Sequence, residues 1–226
     1  MSRRPRIAVI GAGVGGITTA HVLRQSGFDD VTVFEKGSDV GGVWHWNPYP
    51  GLACDVPSQL YQVGCAPKPD WTHLWARGRD IQQYHRDVID RLGLAPLIKL
   101  DTEVSEARWD GSNQEWNLST ADGGHHTADF VICATGVLHH PFVPEIPGLA
   151  DFTGTVLHTA RWQDDLDTAG KRIAVIGTGS TGVQIVSALQ PDATSIHHYV
   201  RSPQGILWAP MPLRQRSGGR SMSVRT

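Results

Sequence analysis

Two stretches of the chain place glycines where a backbone can close on a phosphate: Gly11-Ala12-Gly13-Val14-Gly15-Gly16 and Gly177-Thr178-Gly179-Ser180-Thr181-Gly182. Each follows a short apolar run, Ile7-Ala8-Val9-Ile10 and Ile173-Ala174-Val175-Ile176, and each opens a segment of helical character. In such a strand–turn–helix the first glycine allows the tight bend and the second lets backbone approach a pyrophosphate. The third packs helix on strand, so that the partly positive helix N-terminus faces the anion. One such turn holds one dinucleotide. Two predict two dinucleotides, with electrons passing between them.

The residues at the ends of the following strands distinguish the two turns. Glu35 lies nineteen residues after Gly16, at the end of the strand Val31-Thr32-Val33-Phe34. A carboxylate there accepts hydrogen bonds from both ribose hydroxyls and repels a 2′-phosphate, so the first turn suits FAD or NAD over NADP. The strand Ser195 to Val200 ends instead in Arg201, read as occupying the matching place. A guanidinium pairs with a 2′-phosphate through charge-assisted, bidentate hydrogen bonds. FAD is therefore assigned to the first turn and NADPH to the second. The plain alternatives are a solvated strand-end acid and a surface cation.

Two further segments attract attention. Gly41-Gly42-Val43-Trp44-His45-Trp46-Asn47-Pro48-Tyr49-Pro50-Gly51-Leu52-Ala53-Cys54-Asp55 combines glycines that let backbone come close to a flavin with an indole, Trp44, that can cover a ring system. Asp55 would then sit near the reacting edge; taken alone it reads equally well as a surface loop acid. Phe152-x-Gly154-x-x-x-His158-x-x-x-Trp162 falls between the two glycine units. A histidine beside a tryptophan is also a common packed or hydrogen-bonded structural pair.

The elements that must position these residues form an α/β pattern. A strand over 6–10, a helix over 14–26 stopped by Gly27 and the strand 31–34 make a βαβ start. Residues 37–69 read as an ordered binding loop, and the spacing Ile81, Tyr84, Val88, Leu92 gives one face of a helix ended by Gly93. Alternating segments near 103–109, 115–120 and 127–133, with turns at Asp110-Gly111 and Asp122-Gly123-Gly124, predict an antiparallel β-meander. Prolines 141, 144 and 147 mark a connection, and a second βαβ start runs from Arg172 to about Val200. The expected architecture is two Rossmann-like dinucleotide-binding units with a meander in the first. The FAD unit spans 1–150 and the start of the NADPH unit 151–210, with a solvated, disordered tail over 211–226.

The composition narrows the alternatives. A chain of 226 residues with 40% hydrophobic and 19% charged residues is an ordinary globular protein. Its formal net charge of −2 predicts no general attraction to nucleic acid or anionic lipid. Basic Arg3, Arg4 and Arg6 precede an apolar run too short for a signal peptide or membrane span. Three cysteines, Cys54, Cys65 and Cys133, lack a Cys-x-x-Cys spacing, which fits a reducing cytoplasm and excludes a redox dithiol. The His-His pairs at 125–126, 139–140 and 197–198 point to opposite faces of a strand, so no metal site is expected.

With these motifs in view, the chain resembles the N-terminal part of a class B flavoprotein monooxygenase, and most closely the Baeyer–Villiger monooxygenases. The resemblance rests on the two glycine fingerprints, the Gly-Gly-x-Trp-x4-Tyr-Pro-Gly-x3-Asp segment from Gly41 to Asp55, and Phe152-x-Gly-x3-His-x3-Trp. A tyrosine at position 162 would point instead to the related N- and S-oxidising enzymes; Gln163 stands where the family usually has Pro or Asp. The likeness covers roughly residues 5–210. It implies FAD contacts at Gly11, Gly13, Gly16, Glu35, Lys36, Gly42, Val43, Trp44, Asp55, Val104 and Ala134-Thr135-Gly136. It implies NADPH contacts from Gly177 through Gly182 and at Arg201. Phe152, Gly154, His158 and Trp162 become the inter-domain fingerprint, with His158 affecting cofactor handling. Asp55 becomes the aspartate that positions an oxygen-activating arginine.

The implied reaction reduces FAD with NADPH and inserts one oxygen of O2 beside a ketone carbonyl, giving an ester or lactone. Family members carry at least as much chain again, and no residue here matches their active-site arginine. The second unit and the C-terminal part of the first are therefore expected to be incomplete, with apolar faces exposed. Two other readings stay open: an N- or S-oxidising flavin monooxygenase, and a non-catalytic nucleotide-binding fragment or one half of a split enzyme joining a second polypeptide.

Overall fold

The computed structural model describes residues 4–202 and Gly205. The chain begins with β1 (Ile7–Ile10), α1 (Val14–Gln25) and β2 (Val31–Phe34), and β2 lies parallel to β1 with Ile10 opposite Phe34. A long irregular segment follows, interrupted by a single helical turn, α2 (Val43–Trp46). It leads into α3 (Gly78–Leu92), whose C-terminus is closed by Gly93, and then to the short β3 (Ile98–Lys99). Next come β4 (Val104–Asp110), β5 (Glu115–Thr120), β6 (His125–Ala128) and β7 (Phe130–Cys133).

The parallel sheet has the order β3-β2-β1-β7, and β4-β5-β6 form a separate antiparallel sheet. Because alternate strand residues face opposite sides, the apolar strands serve two layers at once. Ile7, Val9, Val31 and Val33 join Ile17 and Ala20 of α1 and Ile81, Tyr84, Val88 and Ile89 of α3 in one core. Ala8 and Phe34 face the other way, onto Leu118 and Ala128 of the antiparallel sheet. Helices, parallel sheet and meander thus stack as three layers, and the C-terminal ends of β1, β2 and β7 come together at one rim.

The expected third meander strand over 127–133 is corrected: it is two strands in two sheets. His125–Ala128 pairs antiparallel with β5, whereas Phe130–Cys133 pairs parallel with β1. The switch occurs at Asp129. Its carboxylate accepts the Arg6 backbone N–H at 2.7 Å and the Arg6 guanidinium at 3.0 Å, and its own N–H donates to the Arg6 carbonyl at 2.9 Å. Arg6 also reaches Glu115 at 2.6 Å, tying β5 to the same point. Unbroken Phe-Val-Ile-Cys is then the natural sequence of a strand lying beside β1.

The second unit comprises β8 (Arg172–Ile176), α4 (Ser180–Leu189) and β9 (Ser195–Tyr199), with β8 and β9 parallel. Ile185 and Leu189 of α4 pack on Ile173, Val175 and Ile196, joined by Tyr49, Leu52 and Trp162. Ile176 and Tyr199 are exposed, as are Phe130 on β7 and Val137, Leu138 and Phe142 after it. The expected tail over 211–226 lies outside the described residues.

Candidate functional site

The first glycine turn is a set of close backbone approaches that side chains would block. Gly11 has φ +105°, and its N–H donates to the Phe34 carbonyl at 2.8 Å. A Cβ on Gly11 would lie 2.6 Å from the Ala134 carbonyl oxygen, and one on Gly16 would lie 1.8 Å from that of Gly11. Ala134 is drawn in because its N–H donates to Ile10 at 2.8 Å, which sets Ala134-Thr135-Gly136 against the turn. From the other side, Gly41 donates its N–H to Ala12 at 3.0 Å, and Gly42 comes within 3.4 Å of where a Gly13 Cβ would be. Helix α1 is capped by Gly13 with no side-chain cap and no acid in its first turn, so its N–H groups remain open to an anion.

Glu35 completes this cradle. It is 4% exposed; one carboxylate oxygen accepts the Ala12 N–H at 2.7 Å and the other the Gly37 N–H at 2.8 Å. An ionised carboxylate has about four acceptor positions, so lone pairs remain for a vicinal diol. Lys36 extends over the Trp46 ring at 5.6 Å, and His139 meets that ring at 5.0 Å. Val104 packs with Ala8 and Phe34 on the meander side, and Val43 begins α2 beside Gly42. Trp44 is half-buried: its indole N–H donates to the Tyr61 hydroxyl at 3.1 Å and its ring meets that of Tyr61 edge-on.

The second turn repeats the geometry. Gly177 has φ +108° and donates its N–H to Tyr199 at 3.0 Å, while a Gly182 Cβ would lie 2.1 Å from the Gly177 carbonyl oxygen. Helix α4 is capped by Gly179, again without a side-chain cap or a first-turn acid. Thr178 donates its hydroxyl to Ser202 at 3.2 Å, and a His198 ring nitrogen lies 2.8 Å from the Gly177 carbonyl.

The strand register corrects one equivalence. Ile10 stands opposite Phe34, and Ile176 opposite Tyr199. Val200 therefore occupies the place of Glu35, and Arg201 lies one residue further on, in the place of Lys36. The strand ends at Tyr199 and not at Val200, which moves the match by one residue. Val200 thus holds, in the second turn, the place that Glu35 holds in the first, with an exposed Arg201 beyond it.

Residues 49–55 lie between the turns and dock on α4. The Tyr49 hydroxyl donates to Gln184 Oε1 at 3.0 Å and contacts the Thr181 hydroxyl at 3.2 Å. Gln184 pairs with the Ala53 backbone in both directions, at 2.8 and 3.3 Å. Asp55 accepts the Ser180 hydroxyl at 2.7 Å, so the structure places it at the N-terminus of α4. Burial, followed by the charge of Asp55, holds the Tyr49 phenol above its ordinary value.

The residues of the linker motif make separate contacts in the fold. The Phe152 ring lies over Gly154, where a Cβ would come within 2.5 Å of it. His158 accepts the Ala160 N–H on Nδ1 at 3.1 Å, and Trp162 packs into the core of the second unit. Among the described residues no three His, Cys, Asp or Glu side chains gather as a metal site, and no helix is long and apolar enough to cross a membrane.

Sequence reasoning missed the grip of α3 on the loop before α2. Arg86 pairs with Asp39, and the Gln82 amide donates to Asp39 at 3.2 Å and to the Val40 carbonyl at 3.3 Å. Burial pushes the Asp39 carboxyl up, but Arg86 and the Val40 N–H outweigh it and hold it below the usual carboxylate value. The spacing 82, 85, 86 is one face of a helix and was the available signal.

Comparison with known proteins agrees with this geometry. The sequence profile of the flavin-binding monooxygenase-like family matches residues 4–208. The chain is 49% identical over 210 residues to an uncharacterized monooxygenase of Mycobacterium tuberculosis, covering 93% of this chain and 42% of that protein. It is 44% identical over 202 residues to a Baeyer–Villiger monooxygenase of Streptomyces coelicolor, covering 89% and 39% of the two. Among solved structures, NADP+-bound cyclohexanone monooxygenase from Rhodococcus sp. Phi1 superposes with a TM-score of 0.82 at 35% identity, covering 93% of this chain and 41% of that one. The chain thus spans about two-fifths of the length of these relatives. Two glycine turns of the same build, a meander behind the first and a profile match over most of the sequence place this chain in the flavin-binding monooxygenase-like family.

Proposed function

We propose that the first turn holds FAD, the second holds NADPH, and the protein serves a Baeyer–Villiger oxidation in which one oxygen of O2 is inserted beside a ketone carbonyl. The observation behind this reading is the contrast within a repeat. Two turns of the same backbone geometry end in Glu35 at one site and Val200-Arg201 at the other. A buried acid with spare lone pairs fits an unphosphorylated adenosine ribose; an apolar residue followed by a guanidinium fits a 2′-phosphorylated one.

The residues present fit both groups. Ala12, Gly13 and the first turn of α1 would face the FAD pyrophosphate, Glu35 its ribose, and Gly42 with Ala134-Thr135-Gly136 the remaining backbone walls. Gly177 to Gly182 would cradle the NADPH pyrophosphate, with Arg201 toward the phosphate. When bound, these groups supply the hydride and the oxygen chemistry. The chain itself would bind and orient: Asp55, which accepts the Ser180 hydroxyl at the second turn, would position a cation between the two sites. The Baeyer–Villiger names among the relatives and Trp162 favour a ketone over an amine or sulfide.

The test is the visible spectrum of the purified chain with FAD, followed by NADPH consumption with a ketone panel and an amine panel. A flavin spectrum with ester formation supports the reading; N-oxides in place of esters refute the ketone assignment, and no flavin binding refutes the whole. A second reading, a nucleotide-binding part completed by another polypeptide segment, is favoured by β7, which is an edge strand among the described residues and carries the exposed Phe130. A stable, yellow, monomeric 226-residue protein would refute that second reading.

A further inference from the structure

The two glycine turns hold the same peptide group from opposite ends. In the first turn, the group joining Gly11 to Ala12 is fixed at its N–H, which donates to the buried carboxylate of Glu35 at 2.7 Å. In the second, the corresponding group joins Gly177 to Thr178, and Val200 stands in the place of that acid. Here the carbonyl is held instead, with Nε2 of His198 lying 2.8 Å from the Gly177 oxygen. A carbonyl only accepts, so Nε2 carries the proton and donates. The register sets His198 opposite Val175 as Val33 stands opposite Val9. Val33 is fully buried in the core of the first unit, so a half-buried imidazole replaces an apolar side chain in the second.

We infer that His198 is a positioning residue for the second dinucleotide site: it sets the Gly177–Thr178 peptide from the carbonyl side and leaves the Thr178 N–H and the ribose position to a phosphorylated dinucleotide. This rests on the assignment of NADPH to that site. The first turn is walled by neighbouring backbone, with the Ala134 carbonyl 2.6 Å from a Gly11 Cβ and Gly42 3.4 Å from one on Gly13. Around Gly177 and Gly179, nothing among the described residues comes within 4 Å of where a Cβ would be. Gly177, at φ +108°, has no local preference that would hold an unwalled turn. The Thr178, Ser180 and Thr181 contacts to Ser202, Asp55 and Tyr49 hold side chains and not this peptide. Gly182 packs against the same carbonyl oxygen, so His198 also sets how closely α4 approaches the turn. Carbonyl and N–H belong here to one peptide group, and a donor at the carbonyl makes that N–H a stronger donor in turn. An acid at position 200 would repel a 2′-phosphate; an imidazole behind the carbonyl fixes the peptide without presenting negative charge.

The test compares His198→Val with His198→Gln in the full chain. Valine is the residue with which the first unit folds at this place, and glutamine carries an amide N–H about as far out as Nε2. The double variant His198→Val/Val200→Glu rebuilds the arrangement of the first turn. NADP+ and NAD+ affinities are read by calorimetry with saturating FAD, FAD affinity by flavin fluorescence quenching, and folding by thermal melts without ligand. The expected result is NADP+ binding weakened about threefold to tenfold in His198→Val and largely restored in His198→Gln, with FAD affinity unchanged. The double variant should recover NAD+ binding and not NADP+ binding. Unchanged NADP+ affinity in His198→Val overturns the inference. So do equal losses in the Val and Gln variants, FAD affinity falling in step, or a double variant no better for NAD+ than His198→Val. Failure of the unaltered chain to bind NADP+ overturns the cofactor assignment and takes this inference with it.

Discussion

The two fingerprints offer a paired substitution in which each site controls for the other. Gly16→Ala would put a Cβ 1.8 Å from the Gly11 carbonyl oxygen, and Gly182→Ala one 2.1 Å from that of Gly177. Real Cβ contacts do not fall below 3.0 Å, so each helix start must retreat from its turn by about 1 Å. The obstruction is backbone in both cases, so no side-chain rotation relieves it. Overpacking of this kind costs about 1–3 kcal/mol. Where the displaced N–H groups also bind the ligand, that range becomes a roughly 5- to 150-fold loss of affinity. Titration of each variant with FAD and with NADP+ should show Gly16→Ala weakening FAD alone and Gly182→Ala weakening NADP+ alone. If Gly182→Ala binds NADP+ as the unaltered protein does, the second turn is not the nicotinamide site. If each variant loses both ligands equally, the turns do not act as separate pockets.

Other expectations follow from specific contacts. Arg201→Glu should lower NADP+ affinity by about tenfold while leaving NAD+ affinity nearly unchanged, measured by calorimetry with the two dinucleotides. Gln184→Leu removes both bonds to Ala53 and the Tyr49 contact; differential scanning calorimetry should show about 1–3 kcal/mol of lost stability, and equal melting would disprove the docking role. Arg6→Met leaves Glu115 and Asp129 without their shared guanidinium and should cost about 2–4 kcal/mol in urea unfolding, with FAD affinity falling less than stability. Burial lowers the His85 pKa to about 4 from 6.5, against a smaller opposing effect of the Gly41 bond. Between those values the unfolded chain binds more protons, so stability rises with pH across that window and is lost as pH falls through it. The full effect is about 3 kcal/mol, and His85→Phe should flatten this part of the pH–stability curve.

Much of the site was legible because its chemistry is local in sequence. A glycine turn, the apolar strand before it and the helix after it are neighbours along the chain, so residues 7–25 and 172–189 declare themselves. The acid at 35 is readable for the same reason. The errors arose where long-range contacts decide. Residues 127–133 alternate well enough to pass as one strand, and Arg6, more than a hundred residues upstream, divides them by holding Asp129. Arg201 matches Glu35 only if the strand runs on to Val200, but register is set by strand pairing, which ends the strand at Tyr199 and shifts the match to Val200. The docking of Tyr49–Asp55 on α4 carries no periodic signal, since it joins a loop without regular structure to a helix 130 residues later. Its components, a tyrosine, a glutamine and a serine, are ordinary residues until the fold brings them together.

That docking gives the two nucleotide turns a physical reason to communicate. Gly41 and Gly42 press against the first turn, and seven to thirteen residues later the same loop bonds Ser180, Thr181 and Gln184 on the first two turns of α4. The loop is anchored at its start by α3 and at its end by the second unit, with the one-turn α2 between. A ligand at the N-terminus of α4 would therefore act on Asp55 through Ser180, and any shift of Asp55 would pass along the segment that carries Gly41 and Gly42. Linkage requires the effect to be reciprocal: if NADP+ tightens FAD binding, FAD must tighten NADP+ binding by the same factor. Ser180→Ala and Gln184→Leu together should abolish that factor, read as equal FAD affinity with and without NADP+. A coupling that survives both substitutions would place the connection elsewhere, in the linker that ends at Trp162.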